Sequence, residues 1–588
     1  MKEFFKLVFA SALGVILSSF ILVIFSIVAL VAVISVAGKD RKAEVSANSV
    51  LYINLNHPIS ERSIKNPLEN LTFMGYENNN IGLNDILAGI KKAETDDNIT
   101  GIYLNAAGLT AGYATIEEIR NALLHFKKTG KFIIAYSEVY TQAAYYLASV
   151  ANKVYLNPEG IVDFRGLSSQ ITFFKDALNK LDIEVQVIKV GTYKSAVEPF
   201  ILDKMSEPNR LQVKSFLGSM YTHMIQKVAE SRHLPTDSVH AISYNAKMRN
   251  AADALKYKMV DGLRYKDEVL DELKTLTDIP SDKSIKSISI EKYAPTEDEK
   301  KSSSDNIVAL VYATGEIISG EGDDEKIGSE RISKTLRKVR TDDDVKAVVL
   351  RINSPGGSSL ASDVIWREVM LTKKVKPVIV SMGNVAASGG YYIACAADSI
   401  FAQPNTITGS IGVFGLIPNM QRFFNNKLGI TFDGVQTGLF STTGNFTKPL
   451  NDAEKLIIQK EVDRIYNTFT QKVADARKKT QQRIDSIAQG RVWSGTEALK
   501  NGLVDRLGNI DDAIQAAVKK QNLSDYKLVE YPKLKDPLSS IFNQSSDKLK
   551  TYMTTQELGD NYQYYQQLKS GLSTTGIQSR LPYHIAIK

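Results

Sequence analysis

Asn384-Val-Ala-Ala-Ser388-Gly389-Gly390-Tyr391-Tyr392-Ile-Ala-Cys-Ala-Ala-Asp398-Ser-Ile-Phe-Ala-Gln-Pro404 has a counterpart much earlier in the same chain. There the residues read Gln142-Ala-Ala-Tyr-Tyr-Leu-Ala, then Asn152-Lys-Val-Tyr-Leu-Asn-Pro158, then Gly166 as the partner of Gly412. From 141 to 166 the two copies keep a constant offset of 246 without a gap. Upstream, Lys131-Phe-Ile-Ile matches Lys376-Pro-Val-Ile, and Gly101-Ile-Tyr-Leu-Asn105 matches Ala347-Val-Val-Leu-Arg-Ile-Asn353. Self-similarity at this distance means that a whole domain was duplicated, because solenoid repeats have periods of roughly 20–50 residues.

Within each copy, apolar runs alternate with helical patterns. Ala347–Ile352 and Val378–Ser381 read as buried strands, Ala361–Leu371 as a helix, and Gly390–Ala397 as the start of another. Such alternation predicts βαβ units and a mainly parallel sheet, hence an α/β fold. Val50-Leu-Tyr-Ile-Asn-Leu opens the first copy and Ile307-Val-Ala-Leu-Val-Tyr312 the second. The apolar spacing of Asn451–Ala476 predicts a long amphipathic helix. The expected organisation is an anchor over 1–45, a first repeat over 46–295 and a charged, serine-rich linker over 296–306. A second repeat over 307–535 and a Gln-, Ser- and Tyr-rich tail over 536–588 follow.

Leu7 to Gly38 holds 32 residues and no charge. As a helix it would measure about 48 Å, more than a hydrocarbon core of roughly 30 Å requires. A cleavable signal has an apolar stretch of only about 7–15 residues, so an uncleaved membrane anchor is the expectation, although Ser35-Val-Ala37 could serve as a cleavage site. Lys2 and Lys6 before it are balanced by Lys39, Arg41 and Lys42 after it, so charge does not set its orientation. The net charge of +7 (72 basic against 65 acidic residues) is mild for 588 residues, and no basic stripe is interleaved with aromatics, which argues against nucleic acid. A single cysteine, Cys395, rules out an intrachain disulfide and reads as a small core residue.

The two copies differ where chemistry would lie. Ser388 follows a strand and a short loop and precedes a Gly-Gly pair opening a helix. A nucleophile there gains from the helix dipole, and the Gly389 N–H can face an oxyanion; the plain alternative is a helix-capping serine. Asn353-Ser354-Pro355-Gly356-Gly357 follows a strand at its carboxyl end, where ligands bind in open α/β sheets. Gly357 and Gly389 could together donate to an oxyanion, although Pro-Gly-Gly is also an ordinary turn. The first copy has Gln142 and Asn105–Leu109 in those places. It has instead Lys194, among Tyr193, Ala196, Val197, Pro199 and Phe200, whereas Phe440 lies near the offset position of Lys194 in the second copy. A lysine in apolar surroundings loses its charge more readily and can act as a base; most lysines in such stretches simply reach solvent. The six histidines form no metal-binding motif. The halves therefore complement one another in a single Ser–Lys site.

The segments Tyr-Lys194-Ser-Ala-Val-Glu-Pro-Phe and Ala-Ala-Ser388-Gly-Gly-Tyr-Tyr, with the anchor, both repeats and the late Arg580-Leu-Pro-Tyr583, resemble signal peptide peptidase A (protease IV) in its long two-domain form. The resemblance implies two tandem domains of the Clp protease/crotonase-like fold, with Ser388 as nucleophile and Lys194 as general base. It implies further that Ser410, in Thr408-Gly-Ser410-Ile-Gly412, hydrogen-bonds the lysine. It also implies a homotetramer in the bacterial cytoplasmic membrane, catalytic domains on the extracytoplasmic side, that degrades signal peptide remnants and needs no cofactor. A crotonase-like acyl-CoA enzyme and a non-catalytic membrane scaffold are the alternatives; CoA-thioester binding or indifference to Ser388→Ala would favour them.

Overall fold

The computed structural model describes residues 2–37, 45–63, 81–295, 304–534 and 577–581, and scattered residues between 554 and 569. Most of the expected linker and tail thus lies outside the described residues. The apolar runs become the central strands of two sheets with the same strand order. In the first, Lys153–Val162, Phe132–Tyr140, Ile99–Asn105, Ser49–Asn54 and Ser287–Ser289 lie side by side, all parallel. In the second, Ile407–Gly409, Val378–Ala387, Val345–Ser354, Ile307–Thr314 and Lys527–Tyr531 do the same. Strands buried on both faces need continuous apolar sequence, which is why Val-Ile-Leu runs rather than alternation mark them.

The helices follow their end signals. Asp452–Arg477 starts from Asn451, whose side chain accepts from the Glu454 N–H while Glu454 answers to the Asn451 N–H. Ser359–Lys373 is capped by Ser358. The strand Val378–Ala387 runs six residues beyond the expected Ser381, because its far end pairs with Ile407–Gly409. That extension carries the chain directly to Ser388.

A third sheet crosses the two halves. Its order is Lys326–Gly328, Glu316–Ile318, Gly356–Ser358, Ile577–Arg580, Val413–Asn419, Glu184–Val190. The last strand comes from the first repeat and runs antiparallel to Val413–Asn419 of the second over seven residue pairs. The strand from the tail, Ile577–Arg580, lies between Gly356–Ser358 and Val413–Asn419, antiparallel to both. Packing is also shared: the core around Leu51, Ile102 and Tyr145 takes in Ala387, Ile407, Val492 and Leu581. Cys395 is buried in the other core, where burial pushes its thiol up to about 12 and leaves it a packing residue.

The first helix runs from Lys2 to Ala37. Among the described residues no helix is long and apolar enough to cross a membrane, so an anchor rests on the composition of the first 38 residues.

Candidate active site

The turn that ends the strand Val378–Ala387 holds Ser388 at φ 55° and ψ −113°, and the helix Gly389–Ala394 starts directly after it. A non-glycine residue at positive φ is strained by about 1–3 kcal/mol and persists only where its surroundings demand it. Here the Ser388 N–H donates to Gly409 O at 2.8 Å and its carbonyl accepts from Tyr392 N at 2.8 Å. The Ser388 side chain makes no capping hydrogen bond to the helix, which removes the capping reading. In the first repeat that duty falls to Thr141, whose side chain accepts from Ala144 N.

Lys194 arrives from the other half. It closes the turn after the strand Glu184–Val190, and the strand pairing with Val413–Asn419 delivers it to the second repeat. Its Nζ lies 2.9 Å from Ser388 Oγ, 3.1 Å from Ser410 Oγ and 3.3 Å from Ser410 O. Lys194, Ser388 and Ser410 are all 0 % exposed. Phe414 covers the amine with its ring centroid 5.8 Å away. Among the described residues no carboxylate repays the lost hydration, and burial brings the Lys194 amine down to about 7. The structure thus joins the three side chains that the sequence places 194 and 216 positions apart.

The glycine loop lies against them. Gly356 adopts φ +96°, and a Cβ there would stand 2.7 Å from Gly389 N and 2.2 Å from Ser579 O. Only glycine lets the loop approach the Ser388 turn this closely. Gly357 pairs with Ile317 on one side and with Ser579 on the other. The Ser579 carbonyl, held by the tail strand, lies 3.0 Å from where a Gly389 Cβ would be. A backbone carbonyl of an extended chain therefore sits beside Gly356 and Gly389. Leu581 N–H, donating to Pro355 O at 2.7 Å, and the Ser359–Ser579 hydroxyl pair at 2.9 Å fix that strand.

The corresponding place in the first repeat is closed by its own side chain. Gln142 spans Gly166, donating to its carbonyl at 3.0 Å and accepting from its N–H at 2.8 Å. Gly166 is the counterpart of Gly412, whose carbonyl is 3.5 Å from Ser388 Oγ. Phe440 is an exposed side chain.

Sequence reading missed three features. Arg351 on the strand Val345–Ser354 is fully buried and bonds Glu61 and Glu118 of the first half at 2.8 and 2.7 Å. A lone charge inside an apolar strand was the available signal, because a buried guanidinium must be paired. Gln212 and the strand Ile577–Arg580 left no such mark, since a glutamine on a helix and a polar tail carry no pattern that names their partners.

Comparison with known proteins supplies the lineage of this arrangement. The description Peptidase family S49 matches residues 125–280 and again 370–524, and Clp protease matches 299–408. Protease 4 of Haemophilus influenzae is 38% identical over 451 residues, covering 74% of this chain and 72% of that protein. Serine protease SPPA, chloroplastic, of Arabidopsis thaliana is 32% identical over 474 residues, covering 79% and 69%. The putative signal peptide peptidase SppA of Enterococcus faecium is 35% identical over 208 residues, covering 35% and 60%. Two family matches, one in each half, repeat the duplication seen in strand order, and the Clp protease match falls on the stretch that carries the glycine loop and Ser388. The acyl-CoA and scaffold readings give way: the chain belongs to peptidase family S49 and is a serine peptidase with an α/β, Clp-protease-like fold in tandem.

Proposed function

We propose that this peptidase works through a Ser–Lys dyad shared between its repeats, and the observation that carries the reading is the 2.9 Å approach of Lys194 Nζ to Ser388 Oγ, with no carboxylate bonded to the amine among the described residues. Neutral Lys194 takes the Ser388 hydroxyl proton as Oγ attacks the scissile carbonyl. The N–H groups of Gly357 and Gly389 receive the oxyanion. The resulting ammonium, still bonded to Ser410, passes its proton to the leaving amine. A water then repeats the cycle on the acyl-enzyme.

The substrate is an extended peptide. Main-chain pairing to an exposed sheet edge binds such segments, and side-chain pockets then select alternate residues. The strand Ile577–Arg580 marks the place, between Gly356–Ser358 and Val413–Asn419, which a substrate strand takes in its stead. The name of the Enterococcus relative and the resemblance of the motifs support signal peptide remnants as substrates. Residues 1–45 anchor the chain in the bacterial cytoplasmic membrane; Leu7, Phe9, Leu13, Ile16 and Phe20 of the first helix are exposed apolar side chains. The catalytic repeats face the extracytoplasmic side. Exposed Phe432, Val435, Leu439 and Ile457 offer apolar surface that assembly into a homotetramer would cover.

The test is a pH profile of kcat/KM on an apolar fluorogenic peptide with the detergent-solubilised chain. A base titrating near 7 makes the rate rise about tenfold per pH unit below that point and level above it. Mass spectrometry of an acid-quenched reaction should find the acyl group on Ser388. A flat profile from pH 5 to 9 would remove Lys194 from the base role.

Gly357 is tested separately. A Cβ on it would meet Ile317 O at 2.0 Å, which is backbone and cannot swing aside. Gly357→Ala must therefore move the loop and its N–H. A loss of about a hundredfold in kcat is expected with KM little changed, the range seen when one oxyanion donor is removed; unchanged kcat would exclude this donor.

A further inference from the structure

Gln212 lies on the helix Glu207–Arg232, 1 % exposed and facing the domain junction. Its Nε2 donates toward Tyr193 O at 3.1 Å, Ser195 Oγ at 2.9 Å and Asn209 Oδ1 at 3.1 Å. Its Oε1 accepts from Val492 N at 3.1 Å. Tyr193 and Ser195 are the residues on either side of Lys194. Val492 begins the strand Val492–Ser494, which runs antiparallel to Ile407–Gly409 with Val492 opposite Gly409. Ser410 follows at once, its N–H donating to Arg491 O at 2.7 Å. One amide thus ties both flanks of the lysine to the strand that registers its serine partner. Backbone bonds from Tyr193 N to Gln489 O at 2.9 Å and from Gly490 N to Ile411 O at 2.8 Å run alongside it.

We propose that Gln212 is a positioning residue whose amide pins the Lys194 turn of the first repeat to the Val492 strand of the second, and so holds Lys194 against Ser388 and away from water. The proposal rests on the reading of Lys194 as base. A lysine side chain is long and flexible, so the backbone that carries it decides where the amine sits and how dry it stays. Packing around Lys194 is close: its Cδ is 3.2 Å from where a Gly412 Cβ would stand, and its Cβ is 2.6 Å from that of Gly490. A slight retreat of the turn would admit solvent. The groups that face the amine are the hydroxyls of Ser388 and Ser410, the Ser410 carbonyl and the Phe414 ring. Two charged residues close by along the chain, Glu198 after Lys194 and Arg491 before Val492, are engaged elsewhere. Glu198 accepts from Ser206 Oγ and from Asn209 Nδ2. Arg491 stacks on Tyr193 and Trp493 at 5.0 and 4.0 Å. Seclusion, rather than a neighbouring charge, is what Gln212 protects.

The experiment compares wild type, Gln212→Met and Ser195→Ala as solubilised full-length chains. It measures kcat/KM against pH from 5 to 10, per active site counted by covalent acylation. Gln212→Met fills the same space without hydrogen bonds and should move the acid limb up by about one pH unit, with roughly a fivefold lower rate per site at pH 7 and about tenfold lower at pH 5. Ser195→Ala removes one of the three tethers and should move the limb the same way by less. If both variants keep the wild-type limb and per-site rate, whatever their melting temperatures, Gln212 is structural only and the proposal is overturned. Should Gln212→Met fail to fold, an unmoved limb in Ser195→Ala overturns it alone. A wild type without an acid limb overturns the base reading and this proposal together, which is a different result from an unmoved limb.

Discussion

Lys194→Met is expected to lose at least about three orders of magnitude in kcat and yet to unfold at higher temperature at pH 7. Both effects come from the same burial. The amine is brought from its ordinary 10.5 to about 7 by loss of hydration. Its folded value is therefore depressed below its unfolded value, and between these limits the unfolded chain binds the extra proton. Stability then rises with pH across that window. At 1.36 kcal/mol for each tenfold in proton affinity, the wild type carries a penalty of about 4 kcal/mol at pH 7, which fades by pH 10.5. Met is close in volume and has no charge to hide, so it escapes the penalty. Ser388→Ala should match the loss of turnover without the gain in stability, because the lysine stays. Urea unfolding of the three proteins at pH 7 and pH 10 decides the matter. If Lys194→Met is no more stable than wild type at pH 7, or if its advantage is equally large at pH 10, the amine is hydrated in the folded chain and is no dry base.

Ser388 and Lys194 were legible because the duplication made each half a control for the other. Where one copy has Ser-Gly-Gly the other has Gln-Ala-Ala, and where one has a lysine the other has none. Physical chemistry then asks why a buried strand end should carry those groups at all. Ser410 came only through resemblance, since a serine in Thr-Gly-Ser-Ile-Gly has no pattern separating a lysine partner from a turn residue. The parallel sheets were legible from their apolar runs, but their ends were not. Val378–Ala387 continues past its apolar stretch because a neighbouring strand holds it, and pairing partners are long-range facts. The sheet that joins the halves was invisible for the same reason. Glu184–Val190, Val413–Asn419 and Ile577–Arg580 meet only in the folded chain. That sheet is also what brings Lys194 to Ser388, so the residues of the site could be named from sequence while the means of assembling it could not.

The second large effect concerns that assembly. Arg351→Met should destabilise the chain by about 3–5 kcal/mol at pH 8, the cost of leaving buried charge without its partner. The Arg351 guanidinium reaches Glu61 and Glu118 from the first half, and Ser381 Oγ and Met382 O from its own. All of these side chains lie in the interior. Burial raises the Glu118 carboxyl to about 7, with Arg351 opposing and Glu61 adding to the rise. Without Arg351, Glu118 keeps the long hydrogen bond from Ile510 N at 3.4 Å, and taking a proton becomes its main relief. A carboxyl raised in the folded state costs stability as pH climbs past its unfolded value, so the Arg351→Met deficit should be smaller at pH 5 than at pH 8. Turnover should fall as well, through a neighbour. Glu61 Oε1 accepts from Asn353 Nδ2 at 2.8 Å, and Asn353 Oδ1 accepts from Val385 N at 3.2 Å. Asn353 opens the loop to Gly356 and Gly357, and Val385 stands three residues before Ser388. The pair of acidic residues on one half and the arginine on the other thus key the register in which the halves dock, and that register sets the loop carrying Gly356 and Gly357. Denaturant midpoints at the two pH values, with kcat measured beside them, test this. A loss below about 1 kcal/mol, or one that is the same at pH 5 and pH 8, would mean that the Glu118 carboxyl is not held as a buried charge against Arg351 and that the junction is held by its apolar contacts.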